Sequence, residues 1–246
     1  MAVLLVGIVS SRVNYAAGKT VWDGVYSAQQ AQRGQAIYTQ ECLRCHGGAL
    51  EGTTGDGPGS VGGVSLSGEH FKKNWYSSSL DDLYNKISKT MPAQPPTRTG
   101  KMTQQEVLDL MAFILSYNGF PAGAELTYQP ELSVTDIVAK EGPEPPQSGE
   151  TARAVGCLAA GSAPNQWLLS QSTAPIKSKN IGLSAGPELE RANSTPLGMN
   201  SIKLLNARPG TARAGVKVEA KGRYIKMDGE DRLSVLSFQV LSPSCN

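Results

Sequence analysis

Apolar residues recur at helical spacing in two stretches of the first 120 residues. In SAQQAQRGQAIYTQECLRCH, residues 27–46, Ala31, Gly34, Tyr38 and Cys42 fall on one helical face. Ser27, with Gln30 three residues on, forms a capping-box pattern that starts this helix. Gly34 costs a helix about 1 kcal/mol relative to alanine, so it marks a point where another helix crosses closely. In TQQEVLDLMAFILSYNGF, residues 103–120, Val107, Leu110, Met111, Ile114 and Leu115 make a second stripe. Thr103 and Glu106 form its capping box, Met102 and Val107 occupy the hydrophobic-staple positions, and Gly119 with Pro121 ends it. A weaker helical pattern runs through SLDDLYNKISKT, residues 79–90, with Leu80, Leu83, Tyr84 and Ile87 on one side. GTTGDGPGSVGGVSLSG, residues 52–68, reads as a glycine-rich loop.

Beyond residue 128 the period changes. KEGPEPPQSGE, residues 140–150, is acidic and proline-rich, the composition of a semi-rigid linker. After it, polar and apolar positions alternate. ARAVGCLAAG, QWLLSQS, NSIKLLN, GVKVEAK and DRLSVLSFQV read as five short strands, enough for a small antiparallel barrel. Residues 173–196 show no period and read as a long loop. The expected organisation is a signal peptide or N-terminal anchor at 1–20, a helical domain at 22–128, a linker at 129–151 and a barrel at 152–246.

Composition adds a compartment and little else. The 246 residues carry a formal charge of +2, so no global field points to nucleic acid or an acidic membrane. The first residues, MAVLLVGIVSSRVNYAAGKT, hold an apolar run too short to span a bilayer but long enough for a signal peptide, followed by small residues suited to cleavage. Export to the periplasm follows, with membrane attachment if the segment is retained. An oxidising compartment favours pairing of leftover cysteines.

The chemistry concentrates in ECLRCHGG, residues 41–48, which holds two of four cysteines and one of two histidines. Structural zinc needs four ligands, usually in two close pairs, and Cys157, Cys245 and His70 are isolated from one another. A redox dithiol needs a strand before the motif and a helix after it; here a helix leads in and a glycine-rich loop leads out. Covalent haem explains the spacing: Cys42 and Cys45 add across the porphyrin vinyl groups, and His46 falls under the iron. A second axial ligand is then expected downstream. Met102 and Met111 have helical assignments and Met199 and Met227 belong to the strand-rich half. Met91, in KTMPAQPP, remains as the candidate. His70, in GEHFKK, reads as a surface histidine at a helix start and is the alternative ligand.

CLRCHGG, then TMP, then a capped terminal helix resembles a bacterial class I cytochrome c domain over about residues 22–128. VWDGVYSAQQAQRGQAIY and NGFPAGAEL resemble the cytochrome c domains associated with quinoprotein dehydrogenases. The resemblance implies an all-α class I cytochrome c domain, here followed by a small all-β, OB-like, five-stranded domain. It implies one haem c, with His46 and Met91 on the iron. It also implies that Pro58 offers its carbonyl to the His46 Nδ1–H and that Trp75 contacts a haem propionate. In GPGSVGGVSLSG the chain departs from the family's shorter turn.

Histidine and methionine ligation fills the iron's coordination sphere, so the expected function is electron transfer rather than catalysis. The partners expected are a dehydrogenase donor and a downstream cytochrome or oxidase acceptor. The alternatives are a peroxidase-like haem enzyme with a labile distal ligand, or a haem subunit of a larger quinoprotein dehydrogenase. Residues 150–246 hold twelve Lys or Arg against seven Asp or Glu. With few scattered aromatics there, a docking module or a solvated basic surface fits better than nucleic-acid binding. Cys157, in the first strand of the barrel, and Cys245, just after the last, are expected to form a disulfide.

Overall fold

The computed structural model describes residues 18–55, 62–95, 97–210 and 212–245; the N-terminal apolar run and Pro58 lie outside them. The helical half is built from α1 (Ala28–Glu41), α2 (Leu43–His46), α3 (Gly68–Trp75), α4 (Leu80–Thr90) and α5 (Gln104–Tyr117). Both expected capping boxes form: Ser27 and Gln30 cap α1, and Thr103 and Glu106 cap α5. A third, Ser79 with Asp82, starts α4.

Helix α1 crosses α5 at Gly34. A Cβ there would sit 1.9 Å from the Asp109 carbonyl oxygen, so only glycine lets the two backbones touch. The preceding residue, Arg33, lies across the same contact and donates from Nε and Nη2 to Asp109 at 2.7 and 2.8 Å. The carboxylate also accepts from Gln105. Around this crossing Tyr38, Phe71, Leu80, Leu110, Met111 and Leu115 are buried.

The expected linker begins later than its composition boundary. A short 3-10 turn, Pro130–Val134, and strand β2 (Asp136–Ile137) fold back onto the helical half. There β2 pairs with β1 (Ser78–Ser79), and Leu132 and Ile137 enter the helical core. Two apolar side chains with a place to go outweighed the polar composition around them.

The second half is a six-stranded sheet: β3 (Thr151–Ala160), β4 (Trp167–Ser172), β5 (Ile176–Lys177), β6 (Asn200–Leu205), β7 (Lys217–Met227) and β8 (Glu230–Ser242). The five expected strands all form. The count of five is corrected to six, because two residues of the expected loop pair with Ala152 and Arg153 as β5. The same loop also holds helix α6 (Pro187–Ser194), which buries only Ala192 and so leaves no apolar period to read. Strand β3 pairs with β7 and, at its far end, with β4, and β6 runs parallel to β8. Small residues fill the interior: Ala152, Ala154, Ala220 and Val218 lie beside Leu158, Leu169, Ile202 and Leu233. Cys157 and Cys245 are joined, with Cα atoms 5.9 Å apart and a separation of 88 positions in sequence.

Charges hold the seam between the halves. Arg191 of α6 donates to Asp136 at 2.9 Å and to the Val134 carbonyl at 3.0 Å. Arg153 of β3 stands 3.9 Å from both Asp136 and Glu219. Glu219 and Lys221 are buried behind it, and Ser184 donates to Glu219 at 2.6 Å. Lys179 donates to the Asn74 carbonyl, and burial lowers its pKa.

Candidate functional site

The site is built where α1 runs out. The Cys42 N–H donates to the Tyr38 carbonyl, closing α1, and its backbone then leaves helical geometry. One further turn, α2, is tied back by Cys45 N–H and His46 N–H to the Cys42 carbonyl at 3.1 and 2.9 Å. That turn sets two thiols and an imidazole side by side. Gly47, at φ +76°, ends it, and the Tyr38 hydroxyl holds the Gly47 carbonyl at 2.6 Å.

His46 is buried, with its Nδ1 2.7 Å from the Val64 carbonyl. With Nδ1 as donor to a carbonyl, Nε2 is the nitrogen left for a metal. The acceptor here is Val64, six residues beyond the expected Pro58, which lies outside the described residues. No local pattern in GVSLSG marks it: Leu66 N–H pairs with the Leu50 carbonyl and draws residue 64 beneath the motif.

Cys42 and Cys45 are both unpaired. Burial, with smaller contributions from Glu41 and Cys45, pushes the Cys42 thiol up to about 12. That is the opposite of the depressed pKa that activates a catalytic thiol. Among the described residues no group of three or more His, Cys, Asp or Glu could hold a metal ion. Two unpaired thiols one turn apart, beside an imidazole with one nitrogen anchored and the other open, fit covalent haem c.

Met91 caps the C-terminus of α4, its N–H donating to the Ile87 carbonyl. Its own carbonyl accepts from Gly100. Arg98, in the same loop, pairs with Glu41, the residue before Cys42, and so ties the methionine loop to the cysteine motif. Cys42, Met91, Trp75 and Met102 are all partly buried against the helical core. The sequence reading missed the Arg98–Glu41 tether, which spans 57 residues and leaves no local pattern. His70 is exposed on α3.

Residues 29–114 match the family model described as cytochrome C oxidase, cbb3-type, subunit III. The match supports a c-type cytochrome domain. It spans about a third of the chain, from α1 to α5, and so includes the cysteine motif and Met91. No curated protein and no solved structure matches. A c-type cytochrome domain implies covalently bound haem c and a role in electron transfer with redox partners.

Proposed function

We propose that this protein is an exported electron carrier that holds one haem c through Cys42 and Cys45, with His46 and Met91 as axial ligands. The observation that carries the reading is the arrangement at α2: unpaired Cys42 and Cys45, and His46 anchored through Nδ1 with Nε2 open. When bound, the haem supplies one-electron chemistry at an iron with no vacant position. The chain's part is positional. Val64 fixes the His46 ring, Arg98 and Glu41 hold the Met91 loop near the motif, and Trp75 packs against the helical core.

The expected partners are a dehydrogenase donor and a cytochrome or oxidase acceptor, in the periplasm. The description of the matched family favours one further form of this reading, in which the chain serves as a haem subunit of a larger oxidoreductase. The order of pairing, with β3 meeting both β4 and β7 and β6 parallel to β8, supports an OB-like barrel with β5 as an addition. Its role here is docking rather than nucleic-acid binding.

Substitution at the two candidate ligands tests the iron's coordination. Met91→Ala should leave haem attached, lower the reduction potential and allow carbon monoxide to bind the ferrous protein. His70→Ala should change none of these. The reverse pattern would assign the sixth position to His70.

A further inference from the structure

The carbonyl on His46 belongs to a segment with no helix or strand of its own, so something else must hold it in place. Val64 is 58 % exposed, so its side chain does not anchor it. The anchor is the backbone on either side. Thr53 and Gly63 exchange two hydrogen bonds, at 2.9 and 3.1 Å, joining the outgoing and returning arms of the loop. The outgoing arm is fastened to the motif: Gly52 N–H donates to the His46 carbonyl at 2.8 Å, and the Thr53 hydroxyl donates to the Cys45 carbonyl at 2.8 Å.

The returning arm presses on the same peptide. A Cβ on Gly63 would stand 2.3 Å from the Cys45 carbonyl oxygen and 2.6 Å from its carbon. A side chain at Gly63 would therefore push the arm away and take the Val64 carbonyl with it. The Cys45 carbonyl is thus held from both arms, one by a hydroxyl and one by a bare backbone.

We infer that Gly63 and Thr53 are positioning residues that set the donor strength of His46, by fixing the Val64 carbonyl against its Nδ1–H. This rests on the haem reading above and adds to it the residues that tune the ligand. A carbonyl on Nδ1–H makes the imidazole a stronger donor, and a stronger donor favours ferric iron. Loosening the clamp should therefore raise the reduction potential.

The test uses the haem-loaded full chain. Midpoint potential and the solvent exchange of the His46 ring N–H are measured for Gly63→Ala, Thr53→Val, Thr53→Ser and Gly48→Ala. Gly48 is the control glycine, since a Cβ there meets nothing within 4 Å. Gly63→Ala and Thr53→Val should shift the potential upward and speed ring N–H exchange. Thr53→Ser, which keeps the hydroxyl, and Gly48→Ala should match the parent. If Gly63→Ala does not load haem, Thr53→Val against Thr53→Ser decides alone. An unchanged potential in haem-bearing Thr53→Val and Gly63→Ala would overturn the clamp and leave the haem reading standing. A parent protein without haem would overturn both.

Discussion

The two halves of this protein are stabilised by different physics. The helical half packs large apolar side chains around a glycine crossing, and the deeply buried carboxylate of Asp109 is met by two clean hydrogen bonds from Arg33. The sheet half mixes alanine and valine with leucine, isoleucine and Tyr224 in its interior and adds a cross-link between Cys157 and Cys245. Its buried charges Glu219 and Lys221 stand 3.7 Å apart, a distance that a bridging water suits better than a direct bond, while Glu219 accepts from Ser184 at 2.6 Å. A haem-binding edge needs rigid neighbours, and the helical half supplies them.

The largest break in this comparison should come from the cross-link. A loop of this length, closed in the unfolded chain, is worth about 4 kcal/mol at most. Reduction should therefore lower the unfolding midpoint of the barrel, followed by its strand signal, and leave the haem-associated absorbance of the helical half unmoved. Simultaneous loss of both signals would show that the halves unfold as one.

Next comes the seam. Asp136 is the carboxylate that the helical half offers to Arg191 and Arg153. Removing one partner of a largely buried pair leaves the other charge uncompensated, and Asp136→Asn should cost about 3 kcal/mol by denaturant titration. Replacing Arg191 by methionine in the same chain should restore part of the loss. An Asp136→Asn protein as stable as the parent would show that solvent screens the seam.

The helical crossing should be nearly as sensitive. Gly34→Ala gains helix propensity but places its Cβ against the Asp109 carbonyl and Phe113. We expect a net loss of about 2 kcal/mol, since overpacking a tight contact outweighs propensity. Greater stability in the variant would mean that α1 and α5 can separate at little cost.

The smallest effect sharpens the comparison by pH. The Thr103 backbone N–H and hydroxyl hold the Glu106 carboxyl below its usual range. A depressed carboxylate contributes stability that is complete above its unfolded pKa and is lost as pH falls through its folded one. Thr103→Ala should cost about 1 kcal/mol near neutral pH. The difference from the parent should shrink in acid.

Much of this could be read from sequence because it was written in local spacing. Ser27 with Gln30, and Thr103 with Glu106, announced helix starts three residues apart. Gly34 announced a crossing by its cost. The alternation after residue 150 announced five strands. Long-range pairing was less accessible. β5 is two residues long and exists only because Ala152 and Arg153 have a free edge. Leu132 and Ile137 looked like part of a polar linker until the helical half offered them a place. At the site, the cysteine motif was legible, while the Val64 carbonyl and the Arg98–Glu41 tether were not. Both are contacts between segments far apart in sequence, and neither depends on a pattern within its own segment.

The central claim is that Cys42 and Cys45 carry a haem. Intact-mass measurement of the full chain, produced in cells with working haem-ligation machinery and treated with an alkylating reagent after reduction, tests it most directly. The account predicts the polypeptide plus one haem, with alkylation confined to Cys157 and Cys245. A polypeptide without added haem mass, alkylated at Cys42 and Cys45 as well, would contradict it.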